Sequence, residues 1–128
     1  MRVLAEYDNY RKRTIKEKES IYPEAKAVVV EKFLAVLDNL ERALQSAQAD
    51  DPLYEGVSLV KKQMDDVLTA LGVEQIAADG ESFDPSVHEA VMHVDDESLG
   101  ENIIAEEFRK GYKIGDRVVR HSMVKVAN

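Results

Sequence analysis

The sequence predicts an α+β fold. A long N-terminal helix and a helical hairpin, the latter forming a dimeric four-helix bundle with a second copy, precede a small antiparallel β domain. Three observations predict it. Glycine is unevenly spread, with only Gly56 and Gly72 in residues 1–72 and the other four in residues 73–128. Apolar residues recur at spacings of three and four as far as Leu71 and then alternate with a period of two. Charge divides at the same place, with 11 basic against 13 acidic residues before the boundary and 6 against 12 after it. Two units are therefore expected, 1–72 for dimerisation and 73–128 as the sheet, joined at Leu71-Gly72-Val73. Gly72 stands where a helix places its left-handed terminating residue.

The first 28 residues read as a weak helix. Its seam, Leu4, Tyr7, Arg11, Thr14, Lys18 and Ile21, is polar in the middle, so propensity and charge pairs one turn apart must help to hold it. Pro23 is expected to kink or break it. Beyond it, Val29, Phe33, Val36, Leu40, Ala43 and Ala47 form a heptad-like stripe, widened by Val30, Leu34, Leu37 and Leu44. A short connection, Gln48–Pro52, leads to a second helix in which Leu53, Val57, Val60, Met64, Val67 and Leu71 keep an uninterrupted seam. Asp51-Pro52 suits an N-cap followed by a proline in the first turn. One hairpin cannot cover both stripes, whereas two hairpins can, which predicts a homodimer.

Past Gly72, Val73–Ile76 reads as a strand followed by a turn at Asp79-Gly80. His88–Val94 and Asn102–Phe108 alternate, and Gly111, Gly115 and Asp116 punctuate two further short strands ending at Val126. Several short strands with turn signals make a small antiparallel sheet or barrel.

Composition excludes several function classes. In 128 residues, Lys and Arg number 17 against 25 Asp and Glu, a net charge of -8, which argues against a nucleic-acid binder. Without cysteine there is no disulfide, zinc knuckle or thiol nucleophile. Apolar runs fall far short of the roughly 20 residues a membrane span needs, and no signal peptide opens the chain. No membrane partner is therefore expected.

No motif carries catalytic chemistry. His88-Glu89-Ala90-Val91-Met92-His93 superficially resembles a zinc-protease signature, but its histidines are five apart instead of four and lie in an alternating strand pattern. The expectation is a partly exposed His88 and a surface His93. Asp65-Asp66, Asp95-Asp96 and Glu106-Glu107 are adjacent neighbours, not convergent dyads. No serine sits in a nucleophile elbow, no glycine-rich phosphate loop exists, and Arg11-Lys12-Arg13 reads as part of an ion-paired helix. The reading is a non-enzyme without metal or cofactor. Its simplest form is a dimeric coiled-coil adaptor or scaffold, and a small hydrolase built on the histidines is disfavoured by the spacings.

Several motifs are nevertheless specific in combination. Phe83-Asp84-Pro85 followed by His88-Glu89-Ala90, then Lys110-Gly111-Tyr112, Arg117-Val118-Val119-Arg120 and Met123-Val124-Lys125-Val126, occur in the order and spacing of the GrpE family, which the chain thereby resembles. Ala5-Glu6, Asn9 and Arg11-Lys12-Arg13-Thr14 resemble the family's long-helix motif, and Leu37-Asp38-Asn39-Leu40-Glu41-Arg42-Ala43-Leu44 its bundle motif. The likeness covers essentially the whole chain. Two departures stand out: Met1 enters almost at the first motif, as expected of a truncated form, and Pro23 interrupts what should be a continuous helix.

The resemblance implies a co-chaperone of the stress (heat-shock) response. Such a dimer binds the ATPase domain of a DnaK-type chaperone, mainly through one protomer, and wedges open its cleft so that ADP leaves; nucleotide is bound by the partner. It implies partner contacts at Arg11 and Arg42 on the helices, at Gly56, and on the sheet at the Phe83-Asp84-Pro85 turn, Glu89, Arg117 and Val126. His88 is expected to support the turn. Gly56, unfavourable in a helix by roughly 1 kcal/mol against alanine, suggests close packing or partner approach. The dimer seam is assigned to Val29, Phe33, Val36, Leu40, Leu53, Val57, Val60, Met64, Val67 and Leu71. The absence of a presequence favours bacterial cytoplasm, although a mature organellar protein would read alike.

Overall fold

The computed structural model describes residues 2–128; Met1, first in the expected helical unit, lies outside them. Helix α1 runs Arg2–Ser46, 45 residues without interruption. The expected stalk helix and first arm of the hairpin are therefore one element, and Pro23 lies inside it. Proline cannot donate to the carbonyl of Glu19. Strong helix formers flank it, Lys16-Glu17-Lys18-Glu19 on one side and Glu24-Ala25-Lys26-Ala27 on the other, and they carry the helix through. Ion pairs one turn apart, Arg2–Glu6 at 3.2 Å and Lys12–Asp8 at 3.1 Å, decorate the exposed N-terminal part.

Helix α2, Pro52–Ala70, starts and stops as its sequence predicts. The Asp51 side chain accepts from the Leu53 N–H at 2.9 Å, with Pro52 in the first turn. At the other end Gly72 adopts φ +81° and its N–H bonds the Thr69 carbonyl at 3.0 Å, closing the helix.

Six strands follow: β1 Val73–Gln75, β2 His88–Val94, β3 Ile103–Arg109, β4 Tyr112–Ile114, β5 Arg117–Arg120 and β6 Ser122–Ala127. They form two three-stranded sheets, ordered β1-β4-β5 and β2-β6-β3. The first is antiparallel, as expected, with Val73 opposite Ile114. The second is mixed, because β2 runs parallel to β6 while β3 runs antiparallel to it. A parallel pair needs a long crossover, and the 27 residues from Asp95 to His121 supply it. The region after Gly111 holds three strands instead of the expected two. The chain leaves the first sheet at Arg120 and enters the second at Ser122, with exposed His121 at the switch.

The alternation expected through His88–Val94 is also broken. Register shifts between Ala90 and Met92, so Val91 is an extra residue in a bulge. Residues 89–93 are consequently exposed, and β6 takes the core of its sheet instead.

Two apolar clusters result. Val30, Leu34 and Leu37 of α1 meet Leu68 of α2 and Val73 and Tyr112 of the first sheet, with Met64, Ile114 and Val119 packed around them. This cluster crosses the boundary at residue 72, so the helical hairpin and the first sheet share a core. The second cluster, Ala78, Ile104, Val124 and Val126 capped by Phe83, belongs to the second sheet. Gly111 lies at their junction: its N–H donates to the Ser122 hydroxyl at 3.1 Å, and a Cβ there would collide with the Ser122 backbone nitrogen.

Burial is unevenly shared along α1. From Arg2 to Ala25 every residue but half-buried Thr14 is exposed, and regions with few buried contacts open first. Heating should therefore remove helical circular dichroism in an early, reversible step while a probe at Tyr112 stays native. Pro23→Ala, which removes a defect of about 3 kcal/mol, should move that step upward and leave the Tyr112 transition in place. A single coincident transition, unmoved by the substitution, would contradict this uneven stability.

Candidate functional site

The turn before β2 is built around a histidine. His88 is 5% exposed, against the expectation of partial exposure, because both ring nitrogens are used internally. The Asp84 N–H donates to Nδ1 at 3.0 Å, so the ring proton sits on Nε2, which donates to the Ala77 carbonyl at 2.7 Å. The Asp84 carbonyl in turn accepts from the backbone N–H groups of Val87 and His88. Asp84 Oδ1 accepts from both the backbone and the hydroxyl of Ser86, which holds the carboxyl below the usual aspartate range and keeps it charged. The outcome is a rigid loop that presents Asp84 and Pro85 to solvent. Phe83 is half-buried: its ring lies 6.1 Å from that of His88 and packs on the second cluster. His93 is exposed, and among the described residues no three potential metal ligands converge.

The other residues assigned from sequence fall in separate places. Glu89 follows the turn directly and is exposed, as is Arg117 at the start of β5. Arg42 is exposed on α1, its guanidinium bonded to Asn39 Oδ1 at 3.0 Å, and it lines a cleft of about 300 Å³ together with Phe108, Arg109 and Lys110. Arg11 is exposed on the same helix, 31 residues earlier and thus about 46 Å away along its axis. Nothing lies within 4 Å of a Cβ built on Gly56, so packing inside the chain does not explain that glycine. Val126 is a correction. It is 5% exposed in the second cluster, where β6 is the central strand, so its side chain holds the core instead of forming a surface contact.

The stripe residues divide by face. Met64 and Val57 are half-buried, Met64 against the chain's own first cluster, and Leu40 is also half-buried. Val29, Phe33, Val36, Leu53, Val60, Val67 and Leu71 all remain exposed on the single chain. Of these, Val29, Phe33, Val60, Val67 and Leu71 line one apolar groove between α1 and α2.

A polar junction without any periodic signal in the sequence ties the sheet to the helix. Arg120 grips Asp38 with both terminal nitrogens, each at 2.7 Å, and its Nε donates to the Lys110 carbonyl at 2.7 Å. The same guanidinium lies 5.6 Å from the Tyr112 ring centroid. Lys110 Nζ reaches Glu41 Oε1 at 2.9 Å, and Lys61 lies 3.8 Å from Glu41 and 2.8 Å from Asp65. The hydrogen bond to Asp65, ahead of other effects, raises the Lys61 pKa, and burial pushes the Tyr112 hydroxyl up. One local signal was available: Asp38 and Glu41 each follow a buried leucine, Leu34 and Leu37, by four residues, which puts two acids on the core-facing side of α1.

Comparison with known proteins decides the family. The GrpE family model matches residues 1–128. Protein GrpE of Clostridium beijerinckii is 52% identical over 128 residues, covering all of this chain and 61% of that relative. The Clostridium acetobutylicum protein is also 52% identical, with 64% of its length covered, and that of Bacillus velezensis is 46% identical over 129 residues. The chain belongs to the GrpE family. It spans 61% and 64% of the two Clostridium relatives. The motifs that carried the resemblance now have places in a GrpE chain. Lys110-Gly111-Tyr112 and Arg120 form the junction, and Phe83-Asp84-Pro85 with His88 forms the rigid turn.

Beside the junction, Glu107 has a buried Oε2 without a hydrogen-bond partner. Desolvation raises its pKa above the ordinary value, opposed by the Ser122 hydroxyl and the Lys110 charge. A carboxyl whose pKa rises on folding stabilises the fold below its unfolded pKa, and that contribution disappears as pH rises through the folded value. Glu107→Gln should therefore raise stability against urea at neutral pH, and the gain should vanish below about pH 4, where glutamate is protonated in both states. An equal gain at both pH values would dissociate the effect from ionisation.

Proposed function

We propose that this chain is a co-chaperone that accelerates ADP release from a DnaK-type chaperone by binding its ATPase domain and holding the nucleotide cleft open. Membership of the GrpE family along the whole chain carries this reading. Several parts of the fold suit that action. They are the stiff, exposed Asp84-Pro85 turn, the neighbouring Glu89, Arg117 on β5, and the basic Arg11 and Arg42 on the helix. The open surface around Gly56 suits a close partner approach. The protein need perform no bond chemistry. It must bind the open cleft more tightly than the closed one, since only differential affinity moves that equilibrium, and nucleotide must weaken its binding reciprocally. Its relatives are bacterial and no described helix is long and apolar enough to cross a membrane, which supports a cytoplasmic setting.

The working form in this proposal is a homodimer whose hairpins make a four-helix bundle. The groove of Val29, Phe33, Val60, Val67 and Leu71 supports it. Complete burial of a Val, Leu or Phe side chain contributes about 1.5–3 kcal/mol, so covering this face with its own copy is strongly favourable. Val60→Asp combined with Met64→Asp should yield monomers or unfolded chain in sedimentation; a stable dimer of that variant would eliminate the assigned seam.

The exchange reading is tested with a fluorescent ADP analogue bound to a DnaK-type chaperone. The protein should accelerate its release without hydrolysing nucleotide itself. Glu89→Lys combined with Arg117→Glu changes only exposed side chains and should abolish most of the acceleration while thermal unfolding is unchanged. Full acceleration by that variant would place the contact elsewhere, and no acceleration by the unaltered protein would end the exchange reading.

A further inference from the structure

We propose that Arg120 and Asp38 are positioning residues. Their ion pair, braced by Lys110 and Glu41, sets the angle between sheet and helix so that helix-borne Arg42 and the sheet-borne Phe83 turn, Glu89 and Arg117 meet a protein partner as one rigid surface. The functional half of this inference rests on the exchange reading; the structural half does not.

The residues given to the partner surface are far apart in sequence: Arg42 on α1 and Arg117 on β5 sit on elements that meet at one small cluster of six buried residues, whereas the Phe83 turn and Glu89 belong to the second sheet, which is tied to the first through the direct run of β5 into β6 and the Gly111–Ser122 bond. Apolar burial is non-directional. It holds the sheet against the helix without specifying the angle between them. A guanidinium fork on a carboxylate specifies that angle, because two parallel bonds are lost together when either plane rotates. Arg120 is suited to this role in every respect visible: its side chain is 8% exposed, both terminal nitrogens engage Asp38, and Nε is fixed by the Lys110 carbonyl. The pair links positions 82 residues apart. A second tie, Lys110 to Glu41, lies one helical turn further along α1 and opposes rotation about the first.

An apolar pair of similar volume would stabilise such a junction as well or better. An ion pair adds a single preferred geometry. Arg42 lies directly after Glu41, so the tie that fixes the sheet also fixes the distance from this basic residue to the sheet.

The absence of cysteine makes a spin-label measurement straightforward. Labels at Lys32→Cys on α1 and Glu97→Cys in the β2–β3 connection, both exposed sites, report the helix–sheet distance in the 128-residue chain diluted with excess unlabelled chain. The unaltered pair should give a narrow distribution. Arg120→Lys, which keeps the charge and loses the fork, and Asp38→Asn should each broaden it. In ADP release, both should raise the concentration of half-maximal stimulation roughly tenfold, within the usual range of coupling between sites, and leave the maximal rate nearly unchanged. Exchanging the charges, Asp38→Arg with Arg120→Asp, should narrow the distribution again relative to either single charge loss.

Lower melting temperature with an unbroadened distribution would show that the pair only stabilises, and would overturn the proposal. If either single variant unfolds the sheet, Lys110→Gln removes the bracing tie while sparing the fork. It should broaden the distribution to a lesser degree, and no broadening there would equally overturn the proposal. Should the unaltered protein fail to accelerate release, the exchange reading falls while the distance measurement still decides the role of the pair.

Discussion

The grip of Arg120 on Asp38 is the constraint on which the arrangement of the rest depends. Without it the sheet would meet α1 through a few aliphatic side chains, Tyr112 and the single Lys110–Glu41 contact. With it, strand β5, the carbonyl of Lys110 and the helix are locked to one another through a single guanidinium. Tyr112 connects this lock to the apolar cluster, since its ring is buried beneath the same guanidinium. Polar and apolar parts of the junction are thus one unit, and neither has an independent geometry. A 128-residue chain with a thin core benefits from such an arrangement, because orientation is otherwise the property a small cluster specifies least.

The same economy appears in the second sheet. His88 occupies a position where catalytic or metal-binding histidines are often sought, yet both its ring nitrogens are spent on backbone groups. It acts as a three-dimensional turn residue, linking Ala77 to Asp84 across a loop with no regular structure of its own. Ser122 serves similarly opposite Gly111, where only a residue without a Cβ allows the link between β3 and β4 to approach the start of β6. These polar ties explain how an irregular segment between β1 and β2 can be stiff.

The helical half was readable because its signals are local. Asp51-Pro52 and Gly72 act within one turn, and the stripes of α1 and α2 are periodic over many residues. Pro23 misled because a single lost hydrogen bond competes against favourable propensity on both sides, and the sum, not the proline, decides. In the sheets the signals are non-local. Nothing near His88–Val94 announces a parallel neighbour, since that neighbour is Ser122–Ala127, and a bulge at Val91 defeats a period-two reading. The residues expected at a partner surface drew on whole-family likeness, and exposure was the one test sequence could not apply to Val126. Asp38, Glu41 and Arg120 stand within the family motifs, but their roles were hidden, because an ion pair between residues 82 positions apart has no sequence periodicity.

The position of β6 also governs the order in which the fold can be assembled on a ribosome. It is the middle strand of its sheet but follows both of its neighbours in the chain. While β2 and β3 emerge their shared central strand is missing, β3 is bonded only to residues 80–83, and Ile104 has no Val124 or Val126 to pack against. The α1–α2 hairpin can close much earlier. Between those moments the nascent chain carries two strands whose β6-facing backbone edges are open, the kind of surface that invites association with other chains. Translation speed over the residues before Ser122 therefore sets how long this GrpE-family chain remains incompletely folded.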